Sequence, residues 1–367
     1  MSKGSVNSTL LNTLRFKRRI ALKVYSITFI NRSFLKHLII PVISVCNYVI
    51  LRKMGNCFVE MEISSICNSR CIFCPYVDIT KTDKKIQTMS SEIYDKVLEK
   101  LHQVNYKIIS FTPTTGDTLV NQNWDHYIQK SLSLQSIEYV LLYTNGILMN
   151  ETNIEKLIVL LKTDKKKKIF SLLFSLGGFD EKTYLFMFGV DKFNQVIENI
   201  KHLLTRLQQE KLDLLIHLEF RIPFEYQVNV PSIKKGLNPT NYPFLGTRIL
   251  RVFLGIEGLK RYDEVCYRDD LQDKPNACSY LRKTRFAADG GIWADGCVVS
   301  ELPNESTLKL GTVNDSWMDI EVKRKQIIDA WNIKKEIPMP CQKCTMYRCD
   351  AVTLKNDPTN PIWKELY

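Results

Sequence analysis

The sequence has no apolar run long enough to cross a bilayer. Its longest one, residues 37–51, contains Pro41 and Asn47 and falls short of the roughly 20 residues that a membrane helix needs. No apolar core followed by a small-residue cleavage site opens the chain, so no signal peptide is expected. With only 15 glycines, 10% aromatic and 45% hydrophobic content, the 367 residues are unlike a disordered chain. These absences favour a globular cytoplasmic protein.

Acidic side chains are missing from the first 54 positions. Ten of the Lys and Arg residues lie there, so that +10 of the net charge of +12 belongs to this segment. We therefore interpret residues 1–54 as a basic N-terminal extension, whose charge says little about the substrate. It is expected either to pack on the body with solvated charges or to attach to a membrane surface or a partner. Nucleic-acid binding is not expected, because no recognisable module accompanies the charge.

Apolar runs rich in Ile, Leu, Val and Phe alternate with helical stripes in the following part. Such runs are typical of strands in a parallel sheet buried on both faces, and the alternation predicts an α/β fold. The predicted strands are 58–63, 107–112, 137–143, 169–176, 214–222 and 247–254. Helices are expected near 93–104 after Ser90 as N-cap, near 154–161, and near 193–207, opened by Asp191. Unusual polar clusters follow each of the first five strands, which favours a barrel over a doubly wound sheet.

Cys67, Cys71 and Cys74 follow the first predicted strand in a CxxxCxxC arrangement. Three thiolates at this spacing can hold three irons of a cubane cluster and leave the fourth iron open to another ligand. Three buried core cysteines, or a zinc site, are the alternatives, although no fourth zinc ligand is obvious nearby. The eleven cysteines form an odd set with tight local clusters, which is unlike a disulfide framework.

The segment 67–74, CNSRCIFC, resembles the signature of the radical S-adenosylmethionine (SAM) superfamily. This resemblance implies a partial (β/α)6 TIM-type barrel, a catalytic 4Fe–4S cluster on the three cysteines, and SAM on its open iron. A reductant such as flavodoxin or ferredoxin is implied, with cleavage of SAM to a 5′-deoxyadenosyl radical that abstracts hydrogen from a substrate. The alternative is a non-catalytic iron–sulfur or zinc scaffold, or an electron carrier, that has lost SAM cleavage.

The same resemblance implies cofactor contacts at several strand ends. The implied cofactor-binding residues are Phe73, Thr115, Gly116, Asp117, Asn145, Ser175 and Arg221. Residues 115–118 depart from the family's GGEP-type motif, and taken alone they indicate a tight loop in which glycine supplies unusual dihedrals. Asn145 could simply form a turn, and Ser175 could be a satisfied strand hydroxyl. Arg221, a charge on an apolar strand, could pair with Glu219 or Glu225 instead of a SAM carboxylate.

A second cysteine set lies far downstream, in a short and turn-rich region. Cys278, Cys297, Cys341 and Cys344, with Cys349 as a possible substitute, resemble the ligands of a SPASM/twitch-like auxiliary domain. Asp289-Gly290 adds a hairpin signal. The resemblance implies one auxiliary 4Fe–4S cluster, whereas spacing alone allows zinc equally well.

An auxiliary cluster would accept an electron and so implies a net oxidation. A small molecule or sugar, or a peptide, is the expected substrate, and the sequence identifies no acid or base acting on it. The chain is divided accordingly into an extension (1–54), a barrel core (55–235), a linker or late barrel segment (236–270) and a small cysteine-rich auxiliary domain (271–367). Cys46, Cys57 and Cys266 have no partners in sequence and are interpreted as ordinary small apolar residues.

Overall fold

The computed structural model describes residues 58–74, 76–81, 83, 85–104, 106–223, 236–252, 274–294 and 307–342. The basic extension, Glu225, Cys46, Cys57 and Cys266 lie outside these residues, as do the predicted ligands Cys297, Cys344 and Cys349. The predicted domain boundaries fall largely outside them too, and they stay predictions. Among the described residues, no helix is long and apolar enough to cross a membrane.

Six strands lie side by side in the order in which the chain forms them. They are β1 (Phe58–Met61), β2 (Ile108–Phe111), β3 (Tyr139–Thr144), β4 (Ile169–Leu176), β5 (Leu215–Pro223) and β6 (Leu245–Val252). The pairs from β2–β3 through β5–β6 are all parallel. A doubly wound sheet reverses its strand order at the first strand, so this single succession agrees with the predicted barrel-type winding. The predicted α/β class is confirmed.

Helices connect these strands. They are α1 (Tyr76–Ile79), α2 (Ser91–Val104), α3 (Trp124–Ser133), α4 (Glu151–Thr163), α5 (Glu181–Phe188) and α6 (Phe193–Gln209). Ser90 caps α2 as predicted, because its hydroxyl accepts from the Ile93 amide at 3.3 Å. The expectation for Asp191 is wrong: Lys192 precedes α6 and makes no side-chain cap bond.

The strands are buried on both faces, as expected, since β2 is buried throughout and β3 is buried at all but one position, but the two faces differ in composition. Leu142 and Leu172 line a small cavity together with Trp124 of α3 and Leu157 of α4, so this face carries the helices. Because side chains alternate along a strand, the neighbouring positions face the other way. The register of β2 to β5 places these residues on that other face: Ser110, Leu141, Tyr143, Ser171, Leu173, Ser175, Leu215, His217, Glu219 and Arg221.

Three further strands extend the sheet beyond β1. They are β7 (Thr284–Phe286), β8 (Gly291–Trp293) and β9 (Lys309–Thr312), followed by α7 (Trp317–Lys334) and α8 (Met339–Gln342). β7 pairs with β1 in parallel, and β7–β8 and β8–β9 are antiparallel. Gly290, at φ 84°, makes the predicted hairpin turn. The expectation of a turn-rich region misses the 18-residue α7.

Candidate functional site

The three cysteines of the triplet lie on the loop between β1 and α1. Cys67, Cys71 and Cys74 are all partly buried. The Cys74 amide donates to the Cys71 carbonyl at 3.1 Å, which turns the chain so that the second and third cysteines are close in space. The loop is anchored to its surroundings at three places: the end of α5, the loop after β2 and Asn145.

The first anchor is the C-terminal end of α5. The Arg70 amide donates to the Phe188 carbonyl at 2.8 Å, and the Ile72 amide donates to the Met187 carbonyl at 3.0 Å. The last carbonyls of a helix have no partner within the helix, so here the loop satisfies them on either side of Cys71. The helix ends at Gly189 in the left-handed conformation, φ 65°.

Two glycines at the end of β4 allow α5 to lie this close. A Cβ added at Gly177 would come within 2.3 Å of the Phe188 ring, and one at Gly178 within 2.8 Å of the Thr183 side chain. These glycines, which the sequence marks as a strand-end cluster, therefore make room for α5.

The second anchor is the loop that follows β2. A Cβ on Gly116 would lie 1.9 Å from the Ser64 carbonyl oxygen, so that glycine is needed for close packing of two backbones. Its φ is not among the positive values, which corrects the expectation of unusual dihedrals. The next residue continues the contact, because the Asp117 amide donates to the Ile66 carbonyl at 3.0 Å.

The Asp117 carboxylate joins this second loop to a third. It accepts from the Leu119 amide at 3.0 Å, from the Thr144 hydroxyl at 3.0 and 3.1 Å, and from the Asn145 amide at 2.7 Å. Burial raises the pKa of Asp117, whereas the bonds from Asn145, Leu119 and Thr144 oppose that rise. The side chain is thus occupied within the protein, as are the backbone amide and carbonyl, which bond to Ile66 and Val120.

The third anchor is Asn145, at the end of β3. Its side-chain Nδ2 donates to the Asn68 side-chain oxygen at 2.6 Å and to the Ser69 hydroxyl at 3.1 Å, and it lies 3.8 Å from the Cys67 sulfur. Its own oxygen accepts from the Ile147 amide at 3.0 Å, which fixes the orientation of the side chain. The interpretation of Asn145 as a mere turn residue is therefore insufficient, since the side chain holds the cysteine loop.

The electrostatic surroundings of the thiols are unfavourable to their ionised forms. Burial, followed by the Asp117 carboxylate, raises the pKa of Cys67 to about 12. Burial and then the sulfurs of Cys74 and Cys67 raise the pKa of Cys71, and Arg221 opposes the rise. Three thiolates this close need a strong positive charge among them, such as bound iron, which deprotonates its ligands.

Two buried polar atoms beside the triplet have no hydrogen-bond partner among the described residues. They are the side-chain nitrogen of Asn68 and the hydroxyl of Tyr184. Buried donors are almost always satisfied, so these atoms indicate an acceptor at this place. The three cysteine sulfurs could ligate an iron–sulfur cluster, and the two unpaired donors fit the acceptor sulfurs that such a cluster carries. No group of three His, Cys, Asp or Glu side chains within the described ranges is arranged to hold a single metal ion.

Arg221 packs against Phe73, the residue before Cys74. The Arg221 guanidinium lies 5.2 Å from the centre of the Phe73 ring, which is 6.0 Å from the Phe188 ring. Arg221 also pairs with buried Glu219 at 3.0 Å, so the expected ion-pair alternative exists.

Ser175 lies in register with Glu219 on the same face, and Thr115 is buried beside Gly116. Binding of a cofactor by these residues stays a prediction.

A buried ion pair connects β1 with β7 at the same end of the sheet. Arg285 and Glu62 are 0% and 2% exposed, and their charged atoms lie 3.7 Å apart. Thr114 joins them, since its amide donates to Glu62 at 3.1 Å and its hydroxyl accepts from Arg285 at 2.8 Å. The Arg285 guanidinium also lies 5.5 Å from the Trp293 ring.

The described members of the second cysteine set lie on segments that are joined directly. The Lys274 ammonium donates to the carbonyls of Cys341 and Gln342 at 2.7 and 2.8 Å. Cys278, four residues after Lys274, is buried and precedes a short 3₁₀ turn. The Lys274 carbonyl in turn accepts from the Trp331 indole at 2.9 Å. Cys278 and Cys341 are thus on neighbouring, mutually bonded segments.

Several residues of the site were not identified from the sequence. They are Asn68, Ser69, Tyr184 and the carbonyls at the end of α5. A signal for α5 was present: Asp180 accepts from the Thr183 amide at 2.7 Å as N-cap, and Gly189 ends the helix. An Asx residue and a glycine that bracket eight residues are a recognisable start and stop.

Comparison with known proteins gives results that agree with this geometry. A family model described as the Radical SAM superfamily matches residues 61–214. A GTP 3′,8-cyclase of Desulforamulus reducens is 24% identical over 161 residues, which is 44% of each chain, so the match spans less than half of that relative.

Solved structures resemble the chain at lower identity. AdoMet-bound anSMEcpe superposes with a TM-score of 0.50 at 16% identity, over 78% of this chain and 88% of that one. BtrN in complex with AdoMet and 2-DOIA gives 0.45 at 14%, over 78% and 92%. At these identities the anSMEcpe likeness shows the fold alone. Residues 61–214 form a radical SAM superfamily domain.

Proposed function

We propose that the protein is a radical SAM enzyme whose triplet Cys67, Cys71 and Cys74 holds a catalytic 4Fe–4S cluster. The observation that carries the proposal is the anchored loop: α5, Gly116 and Asn145 hold the segment that carries the three thiols beside two unpaired buried donors. Cys67, Cys71 and Cys74 would hold the cluster, which with SAM and one electron from flavodoxin or ferredoxin would supply a 5′-deoxyadenosyl radical, with methionine as the other product. The match to GTP 3′,8-cyclase supports this radical-forming step and no particular substrate.

The chain's own residues would then orient and shield the cofactor. Arg221, partly exposed and beside Phe73, is suited to a carboxylate on SAM, because only one of its edges pairs with Glu219. Ser175 near the end of β4 and the backbone at Thr115 and Gly116 after β2 lie on either side of β3. Asp117 acts indirectly, by holding the loops after β2 and β3 together.

We further propose that the outcome is a net oxidation of a neutral polar small molecule or sugar, with a peptide as the second candidate. Among the described residues, three buried acids of the inner region each have a cation nearby: Glu60 with Lys283, Glu62 with Arg285, and Glu219 with Arg221. Asp117, a further buried acid beside the triplet, accepts from neutral donors, so these residues leave no cation free to bind an anionic substrate, which favours a neutral one. After hydrogen abstraction, a product that is oxidised must lose one more electron and a proton.

An auxiliary 4Fe–4S cluster on Cys278, Cys297, Cys341 and Cys344, with Cys349 as a possible substitute, would receive that electron. The proposal is supported by the hydrogen bonds from Lys274, which keep the Cys278 and Cys341 segments together. Zinc in the same place would stabilise the fold and accept no electron. Metal analysis of protein purified without oxygen distinguishes the two.

The decisive experiment is anaerobic reconstitution with iron and sulfide, followed by SAM and a reductant. The intact protein is expected to release 5′-deoxyadenosine, and a triple Cys67, Cys71, Cys74→Ala variant is expected to release none. A matched variant, Cys278→Ala with Cys341→Ala, should still release it but should lose oxidised product. No release from reconstituted intact protein would instead favour a non-catalytic iron–sulfur scaffold.

A further inference from the structure

Helix α5 carries a buried hydroxyl that nothing within the described chain satisfies. Tyr184 is 0% exposed, and its oxygen has no hydrogen-bond partner among the described residues. A hydroxyl removed from water without a partner is costly, so the sequence would be expected to place phenylalanine here unless the oxygen had a use.

The position of Tyr184 is fixed by its neighbours. Its ring packs at 5.0 Å from that of Phe188 and at 5.8 Å from that of Phe193. Tyr184 precedes Phe188 by four residues, so both lie on one face of α5. That helix is the one whose carbonyls bond to the amides of Arg70 and Ile72, on either side of Cys71.

The titratable groups that act on the hydroxyl are two thiols of the triplet and the Asp117 carboxyl. After burial, the groups that raise the pKa of Tyr184 are, in order, Cys71, Asp117 and Cys67. The phenol therefore keeps its proton at neutral pH and can act as a donor. An acceptor beside Cys71 would satisfy it.

We infer that the Tyr184 hydroxyl donates a hydrogen bond to the iron–sulfur cluster held by the triplet, on the side of Cys71. This inference rests on the proposed function. A reduced cluster carries one more negative charge than an oxidised one, so a donor stabilises the reduced form more and raises the reduction potential. Tyr184 is then a positioning and tuning residue of the cluster.

The test is a redox titration of reconstituted protein without SAM, followed by the electron paramagnetic resonance signal of the reduced cluster. Tyr184→Phe should shift the equilibrium about tenfold toward the oxidised form, which for a one-electron couple is a potential about 59 mV more negative. The matched control is Tyr94→Phe, whose hydroxyl bonds to the Tyr127 carbonyl and Ser131 at a distance from the triplet. It should leave the potential unchanged.

Thermal unfolding without iron gives an independent readout. Tyr184→Phe removes an unsatisfied group and should leave Tm equal or higher, whereas Tyr94→Phe removes satisfied bonds and should lower it. If Tyr184→Phe binds less iron, the molecules that do contain a cluster still give a reduction potential. That potential is the value to compare with the intact protein.

Equal potentials for intact protein and Tyr184→Phe would overturn the inference, and so would a difference seen only after SAM is added. Intact protein that takes up no cluster would instead contradict the proposed function.

Discussion

At the scale of single residues, a buried carboxylate links the loops after β1, β2 and β3. Asp117 receives hydrogen bonds from Leu119, Thr144 and Asn145, and its own amide reaches Ile66. Asp117→Asn would turn one acceptor oxygen into a donor that faces other donors. We expect a loss of about 1–3 kcal/mol in the free energy of unfolding and less iron per chain. Urea unfolding and iron analysis check this, and unchanged values for both would contradict it.

The same carboxyl group predicts a pH dependence. Burial raises its pKa above the usual 3.8, so the folded protein holds this proton more tightly than the unfolded chain does. Its contribution to the free energy of unfolding is therefore largest at low pH and declines as pH rises from 3.8 through the folded-state pKa. The difference between intact protein and Asp117→Asn should fall over that window and then level off. Urea unfolding at a series of pH values measures it, and a constant difference would refute it.

Gly116 gives a second prediction at this scale. Its hydrogen occupies space beside the Ser64 carbonyl, where a Cβ would lie at 1.9 Å. Both partners are backbone, so Gly116→Ala must separate the two loops, at a cost of about 1–3 kcal/mol or more, and should reduce cluster loading. Gly236→Ala is the control, since a Cβ there meets nothing within 4 Å. Similar iron content and stability in the two variants would show that the contact is unimportant.

At the scale of elements, the short helix α5 determines how the cysteine loop is held. Gly189→Ala would place a Cβ 2.6 Å from the Arg70 carbonyl at φ 65°, and the left-handed backbone costs about 1–2 kcal/mol for alanine. Gly290→Ala carries the same backbone strain at φ 84° in the β7–β8 hairpin, where a Cβ would meet the side chains of Val313 and Ile93 instead of the cysteine loop. We expect both to be destabilised, but only Gly189→Ala to lose iron. Equal iron loading would show that α5 is not required as an anchor.

A helix could be predicted from the sequence where its apolar residues form one regular buried stripe. Helix α6 was evident because its buried stripe is regular, with Val196, Ile200 and Leu203 on one face. Helix α5 was missed because Leu185 and Phe186 are about half exposed, which removes the contrast between its faces. Met318, 72% exposed, has the same effect in α7. The triplet itself was predictable, because its chemistry depends on local spacing, whereas Asn145 and Tyr184 reach it through the fold.

At the scale of the whole molecule, the region after residue 274 continues the sheet of the radical SAM domain. Val59 of β1 pairs with Thr284 of β7, more than two hundred positions along the chain. No local pattern encodes such a pairing, so the sequence predicted the hairpin at Asp289-Gly290 but not its neighbour. The pairing also explains why Glu62 and Arg285 can be buried, since each provides the opposite charge that the other needs.

That ion pair supports a final prediction. Arg285→Met leaves the buried Glu62 carboxylate without its cation, which should lower the free energy of unfolding by about 3–5 kcal/mol. Adding Glu62→Gln removes the stranded charge and keeps an oxygen for the Thr114 amide, so the double variant should be more stable than Arg285→Met alone. The matched control is Lys283→Met, whose pair with Glu60 is partly exposed and should contribute about 1 kcal/mol or less.

Urea unfolding of the intact protein, Arg285→Met, Glu62→Gln and the double variant forms a double-mutant cycle, which measures the coupling between Glu62 and Arg285. Strictly additive losses would mean that the two side chains do not stabilise each other. β1 and β7 would then be held by their backbone ladder alone. A large coupling with little effect of Lys283→Met would instead locate the link between the radical SAM domain and the following region at this pair.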